Sequence, residues 1–336
     1  MGRSLNVHPE ADAISIIART PDISVSAADC VVTVPTFRRP QHLLKTLSSI
    51  AAQETTRKFA VIVIENDAAE CAGAKAAAPL FERNELQGFV ILAHKRGNCA
   101  AYNAGWQMAL ASFPAFRHLL VIDDDEIATP LWLETMCATA ETLNADIVNG
   151  PVPPVFEDGA PDRLKNHPVF APAYNSTGIV PMLYASGNML VGRHVLEAME
   201  QPFLDLAFNF IGGGDSDFLR RAADKGFRLA WCDEAVVYET APAQRLEPAW
   251  IRARSLRNGV ISALVEKKAR RCEPFGRLRV LAKSLALLAI APVRGLCRLL
   301  ANGSTTDAIY PVYIGLGRLM AEFGYVDEQY REPDKT

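Results

Sequence analysis

No C-x-x-C pair occurs in this sequence, and its seven cysteines (Cys30, Cys71, Cys99, Cys137, Cys232, Cys272, Cys297) are scattered and odd in number. Their arrangement argues against a disulfide framework and against a zinc site, and for a reducing compartment. His94, His118, His167 and His194 show no ligand spacing either, which leaves them as structural or surface residues. Neither G-x-G-x-x-G nor G-x-x-x-x-G-K follows the first clear strand, so a nicotinamide oxidoreductase or a P-loop nucleotidyltransferase lacks its phosphate cradle here. Residues 1–10 have no apolar core, and no secretory leader is expected. Long hydrophobic runs are missing too. The longest, residues 285–293, is interrupted by Pro292; it is too short to span a bilayer and long enough to lie in an interface.

What is present is an ordinary globular composition. The 336 residues are 49% hydrophobic and 22% charged, with room for about two units of ~150 residues. The net charge of −3 hides an asymmetry, because Arg245 to Arg298 holds 13 Lys/Arg against 3 Glu, or +10, and the remainder carries −13. A basic end suits nucleic acid or an anionic membrane surface. The stretch has no reading motif and no interleaved aromatics, which disfavours nucleic acid.

The most telling stretch is Leu-Leu-Val-Ile-Asp-Asp-Asp-Glu at 119–126, an apolar run that reads as a buried strand and ends in four acidic residues. Adjacent carboxylates repel, so either a divalent cation holds them together or they form a solvated acidic turn. An oxygen-only donor set favours Mg²⁺ or Mn²⁺, ions that keep open positions for nucleotide phosphates. Three strands precede this one. Residues 31–34 lead into Pro35-Thr36-Phe37-Arg38-Arg39-Pro40, a loop that serves either to stack on a base or only to enter a helix bearing Leu43, Leu44, Leu47 and Ile50. Residues 60–64 end at Glu65, whose carboxylate suits a base N–H or a ribose hydroxyl. After residues 89–92, small residues between Gly97 and Gly105 open a helix whose N-terminus favours phosphate. Strands alternating with helices describe an α/β protein with a mostly parallel sheet and a site at the strand C-termini.

Taken in order, Val-Pro-Thr-Phe-Arg-Arg-Pro (34–40), Val-Ile-Glu-Asn-Asp (63–67), Arg-Gly-Asn-Cys-Ala-Ala-Tyr-Asn-Ala-Gly (96–105) and Ile-Asp-Asp-Asp-Glu (122–126) resemble family 2 glycosyltransferases of the GT-A fold. Within that family the series is most similar to bacterial exopolysaccharide glycosyltransferases of the succinoglycan type. The resemblance implies an inverting, metal-dependent enzyme that moves a sugar, a hexose, from a UDP-sugar to a lipid-linked oligosaccharide. It places Pro35, Thr36 and Arg38 beside the uridine and Glu65 on the base or ribose. Asn98, Asp123 and Asp124 belong to the same nucleotide-sugar set, with Asp123 near the ribose and donor sugar, and Asp125 ligates the metal that bridges the diphosphate. Two departures stand out: Glu65 replaces the usual Asp, and Tyr102 occupies a place where an arginine commonly precedes the asparagine.

In the second half, residues 184–191 resume a strand through a Ser-Gly-Asn entrance, and Gly212-Gly213-Gly214-Asp215-Ser216-Asp217 precedes a helix. On its own the latter reads as a loop with an N-cap. In the resemblance it stands for a Glu-Asp-x-Asp element, with Gly214 in place of the Glu, Asp215 as the general base and Asp217 as the second Asp. Gly187, Asn188, Gly214 and Asp217 then border the acceptor. Glu239 stands where many relatives carry a histidine, either ligating the metal or hydrogen-bonding nearby donors. From Trp250 onwards the pattern is helical, basic and apolar, which fits a surface on the cytoplasmic leaflet or a soluble cap.

The expected organisation is therefore an extension (1–28), a GT-A domain (29–245, with a nucleotide-binding half at 29–133 and an acceptor half at 134–245) and a helical, membrane-associating region (246–336). The expected partners are a UDP-sugar, a polyprenyl-diphosphate-linked oligosaccharide and an anionic membrane surface, with no nucleic acid. That places the protein on the inner face of a bacterial plasma membrane. A catalytically inactive sugar-nucleotide-binding module, or a transferase with a soluble or protein acceptor, is the alternative; Asp215 argues against the first.

Overall fold

A computed structural model describes residues 14–21, 27–156, 159, 161, 164, 167–326, 328 and 331. Its centre is a nine-stranded sheet in which the apolar runs of the first half lie side by side. They form β2 (Cys30–Thr36), β3 (Phe59–Glu65), β4 (Gly88–Ala93) and β5 (His118–Val121), paired in parallel in the order β4-β3-β2-β5. Both faces of these strands are covered, so successive side chains enter two different cores. Val31, Ile62 and Ile64 join one, and Val32, Val34, Val61 and Val63 join the other.

Residues from the second half continue the same sheet through β7 (Ile147–Asn149), β9 (Gly178–Val180), β10 (Met189–Gly192) and β11 (Leu229–Trp231). Six of the nine strands point one way; the exceptions are β9, β10 and β1 (Ile14–Arg19), which pair antiparallel to their neighbours. Part of the expected extension, residues 14–19, is an edge strand on β4; residues 1–13 and 22–26 lie outside the described residues.

Helices flank the sheet. On one face lie α1 (Pro40–Ala51), which buries Leu43, Leu47 and Ile50, then α2 (Ala72–Glu82) and α4 (Trp132–Leu143). On the other, α3 (Asn98–Ser112) packs Trp106 against Phe203 and Phe218, with ring centroids 5.7 and 5.1 Å apart. Phe218 belongs to α6 (Gly214–Asp224), which follows the short α5 (Arg193–Ala198). A small second sheet, β6 (Glu126–Ala128), β12 (Val237–Thr240) and β8 (Pro154–Val155), pairs Glu126 opposite Glu239 and so doubles the acidic cluster.

The C-terminal region is three helices, α7 (Pro248–Ala269), α8 (Gly276–Asn302) and α9 (Thr305–Glu322). Helix α9 touches α7 where Gly259 meets Gly317, and α8 where Gly315 meets Leu288. A buried guanidinium ties all three together: Arg318 donates to Ser262 (2.7 Å) and Glu266 (2.8 Å) of α7 and to Ser284 (3.2 Å) of α8. Here an expectation is corrected. Helix α8 runs unbroken through Pro292, and Gly276–Ala301, which contains an 18-residue window with a mean hydropathy of 1.7, is long and apolar enough to cross a membrane by length and composition. A count of uncharged residues ends at Arg294, whereas the helix continues through it.

Candidate active site

A cleft of about 1460 Å³ opens at the C-terminal ends of the parallel strands, where an open α/β sheet places its ligands. That exceeds the ~300–1,000 Å³ of a single small-molecule site and leaves room for two substrates. Its lining includes Asn98 from the start of α3, Asp123 and Glu126 after β5, Glu239 from β12, Gly187 and Asn188 from the entrance to β10, and Gly214 and Asp215 from the start of α6.

The acidic turn after β5 is held by a specific set of donors. Asp123 accepts from the Tyr102 hydroxyl (2.5 Å), and its own N–H donates to Glu126 (2.8 Å). Tyr102 also receives a hydrogen bond from Ser186, so the residue that replaces the usual arginine fixes the orientation of Asp123. Asp124 faces inward and accepts from the Thr36 hydroxyl (2.8 Å) and the Phe37 N–H (3.4 Å), which ties the loop after β2 to the turn. Asp125 takes the Arg39 guanidinium at 2.6 Å. Burial, reinforced by the charge of Asp125, pushes both Asp123 and Asp124 up to about 7, and burial carries Glu126 well above the usual carboxylate range. The cluster is short of positive charge, and its donors are all oxygen, which suits Mg²⁺ or Mn²⁺. Among the described residues no three carboxylate, imidazole or thiol groups converge on one point; Arg39 holds Asp125 and Arg245 holds Glu239.

The loop between β2 and α1 carries Pro35, Thr36 and Arg38. Arg38 adopts a left-handed backbone, with φ of 58°, and its side chain pairs with Asp67 at 2.6 Å. Phe37 lies between the guanidinium groups of Arg38 and Arg96, 5.2 and 5.1 Å from its ring centroid. Glu65 is placed differently from the expectation. It is fully buried, and its two oxygens accept from the Asp67 N–H (2.8 Å) and the Ala74 N–H (3.0 Å), so it shapes the loop and offers no oxygen to the cleft.

Asp215, also in the lining of the cleft, sits one residue inside α6. Gly213 at the N-cap has φ of 94°, and a Cβ on Gly214 would lie 2.4 Å from the Cys99 sulfur. The glycines therefore permit both the turn and the close packing on α3, and Cys99 fills the space where the motif's usual Glu would begin. Asp215 accepts from the Ser216 N–H at 2.7 Å. Burial raises its pKa, against the opposing charges of Arg257 and Arg254. Asp217 turns away and is buried between Arg221 (2.9 Å) and Lys268 (2.8 Å). Asn188 is likewise committed, accepting from the Trp132 indole (2.8 Å) and donating to the carbonyls of Pro151 and Ala235. Arg39, Glu126, Arg254 and Arg257 went unassigned from sequence. Arg39 and Glu126 adjoin assigned residues, whereas only the fold brings α7 to the cleft.

Residues 31–199 match the family model for Glycosyl transferase family 2. Over 240 residues the chain is 31% identical to the succinoglycan biosynthesis protein ExoM of Rhizobium meliloti (strain 1021), an alignment spanning 68% of this chain and 72% of that protein. Among solved structures, the mannosyltransferase PcManGT from Pyrobaculum calidifontis in complex with GDP-Man and Mn²⁺ superposes with a TM-score of 0.55 at 19% identity, covering 90% of this chain and 89% of that one. S. aureus TarS 1-349 in complex with UDP gives a TM-score of 0.50 at 15% identity, over 91% of this chain and 97% of that one. At such identities the likeness concerns the fold, which is that of GT-A glycosyltransferases.

Proposed function

The chain belongs to glycosyl transferase family 2, and from that premise we propose that it moves a hexose from a UDP-sugar to a lipid-linked oligosaccharide, with inversion, in the synthesis of a bacterial exopolysaccharide or surface polysaccharide. The observation that carries this reading is one cleft lined by two separate sets of carboxylates: Asp123, Glu126 and Glu239 of the acidic cluster, and Asp215 at the start of α6. The turn and the loop holding Pro35, Thr36 and Arg38 would receive the nucleotide, with Asp123 near the ribose and donor sugar. Asp215 lines the same cleft and would meet the acceptor there. In the proposed step an acceptor hydroxyl attacks the anomeric carbon of the donor, the bond from that carbon to the diphosphate oxygen breaks, and the hydroxyl proton passes to Asp215. A single displacement of this kind inverts the anomeric centre.

With Mg²⁺ or Mn²⁺ bound at Asp125, and Glu239 nearby, the site would gain a fixed cation against the charge that gathers on the leaving diphosphate. Arg39 and Arg245 would give up those carboxylates in exchange. Glu65 and Asp217 act as supports, one for the loop after β3 and one for the start of α6. A panel of UDP-sugars tested by calorimetry with Mn²⁺ or with EDTA checks the donor half. One donor should bind in a metal-dependent manner, and Asp125→Ala should abolish turnover and uncouple UDP binding from the metal. Full activity in EDTA would remove the metal from the account.

The protein is further proposed to lie on the inner face of the plasma membrane through α8. At 100° per residue Leu278, Ala282, Leu285, Ala289, Val293, Leu296 and Leu300 fall within a stripe roughly 80° wide, and all are exposed. Arg279, Lys283 and Arg294 lie to one side of it. Lys283 and Arg294 are only about 16 Å apart along the axis, less than the ~30 Å hydrocarbon core. A helix spanning the bilayer would therefore bury at least one charge, whereas a helix lying in the interface buries neither.

A further inference from the structure

We propose that three arginines on the far side of Asp215, Arg254, Arg257 and Arg298, bind the diphosphate of the lipid-linked acceptor, and that its isoprenoid chain leaves along an apolar groove between α8 and α9. The inference rests on the glycosyltransferase reading above and names the part of the acceptor that the fold is built to hold.

Two cavities meet at this point. The cleft continues past Asp215 along α7, where Arg254 and Arg257 line it, and reaches Arg298 and Tyr310. A groove of about 470 Å³ begins at the same place, sharing Cys297, Arg298, Tyr310 and Ile314 with the cleft. Beyond the junction its walls are Leu287, Ile290, Val293 and Pro311, with Arg294 at one edge. Passing outward from the base, the lining thus changes from carboxylate to guanidinium to hydrocarbon.

The cationic section is compact. The Arg298 guanidinium lies over the Tyr310 ring, 5.4 Å from its centroid, and the charges of Arg254 and Arg298 both fall on the Tyr310 phenol. Those of Arg254 and Arg257 fall on Asp215. One set of arginines therefore reaches from the proposed base to the mouth of the groove. Guanidinium groups match phosphate oxygens in pairs, which suits a diphosphate better than a hydroxyl-rich sugar.

The apolar section selects the occupant. A nucleotide donor carries a diphosphate but no hydrocarbon tail, and the Asp123–Asp125 turn contributes no residue to the groove. A detergent-like lipid with a charged head and a long apolar chain fits both sections at once. Ile290 and Val293 line the groove and are also exposed, and Val293 belongs to the outward stripe of α8, so a chain leaving the groove emerges at the face proposed to rest on the bilayer.

The test uses the full-length protein saturated with UDP, so that the donor site is filled, with farnesyl diphosphate below its micelle concentration as the probe and inorganic pyrophosphate as its tailless counterpart. Fluorescence or calorimetric titration should show farnesyl diphosphate binding beside UDP, about tenfold or more tighter than pyrophosphate. Arg298→Gln should weaken both probes by about tenfold. Ile314→Asn should bring farnesyl diphosphate down to the affinity of pyrophosphate and leave pyrophosphate unchanged, which a misfolded variant would not do. Displacement of farnesyl diphosphate by UDP, equal affinity of the two probes for the wild type, or wild-type binding by both variants overturns the proposal. The UDP titration that precedes it is a separate readout. If UDP binds and farnesyl diphosphate does not, the lipid subsite is wrong and the donor reading stands; if UDP itself fails to bind, the donor reading falls.

Discussion

Asp123 and Asp215 are carboxylates of one cleft, and their neighbours fit them for different work. Asp123 is clamped by a tyrosine hydroxyl and sits among other carboxylates, whereas Asp215 has the Ser216 N–H and two arginine charges around it. Asp215→Asn keeps the shape but cannot take a proton, so donor binding should survive while transfer falls by ~10² or more, read in a steady-state assay against a UDP titration. Wild-type rates in that variant would assign the base elsewhere. Because burial raises the Asp215 pKa, its basic form is lost on acidification at a higher pH than an ordinary aspartate's. The rate should accordingly fall on the acid side of the profile, and Arg257→Gln, which removes a charge that lowers this pKa, should move that limb to still higher pH.

Single residues were only partly legible in the sequence. The Asp123–Asp125 turn follows a strand and Asp215 opens a helix, as the sequence pattern reads, but that pattern does not say which oxygens are already taken. Glu65, Asp217 and Asn188 are occupied by backbone N–H groups, by cations and by an indole with two carbonyls.

At the scale of elements, strands buried on both faces announce themselves as continuous aliphatic runs, so β2 to β5 were plain in the sequence. The edge strand β1, with Ile16 and Ile17 exposed, carries a weaker signal. The second sheet was hidden for another reason: its strands are two to four residues long and gain their meaning only from pairing across the chain. Helix α8 shows how the measure decides the answer, since a run of uncharged residues ends at Arg294 while the helix continues. Each basic residue near an anionic surface contributes on the order of 1 kcal/mol, and the leucine stripe adds apolar burial. Co-sedimentation should therefore show binding to anionic liposomes that weakens as salt rises, and that drops by about tenfold when Leu285, Leu296 and Leu300 are all replaced by Ser. A protein that stays in the supernatant at low salt makes α7 to α9 a soluble cap, and one that resists alkaline carbonate extraction from cell membranes makes α8 a spanning helix.

For the whole molecule, the acidic remainder and the basic end divide along the cleft. The strand ends supply carboxylates, α7 and α8 supply guanidinium groups, and Asp215 lies where the two meet. Such a distribution suits a reaction in which one diphosphate leaves on the acidic side, with a cation, while a second diphosphate anchors the acceptor on the basic side. The direct measurement is transfer of a radiolabelled hexose from a UDP-sugar to a lipid extract bearing diphosphate-linked oligosaccharides, followed by organic extraction and by determination of the anomeric configuration. The wild-type chain should carry label into the organic phase with inverted configuration and in proportion to added Mn²⁺ or Mg²⁺, whereas Asp215→Asn and Asp125→Ala should not. Label that remains in water with every UDP-sugar and every lipid fraction, or that transfers equally well in both variants, would contradict the account.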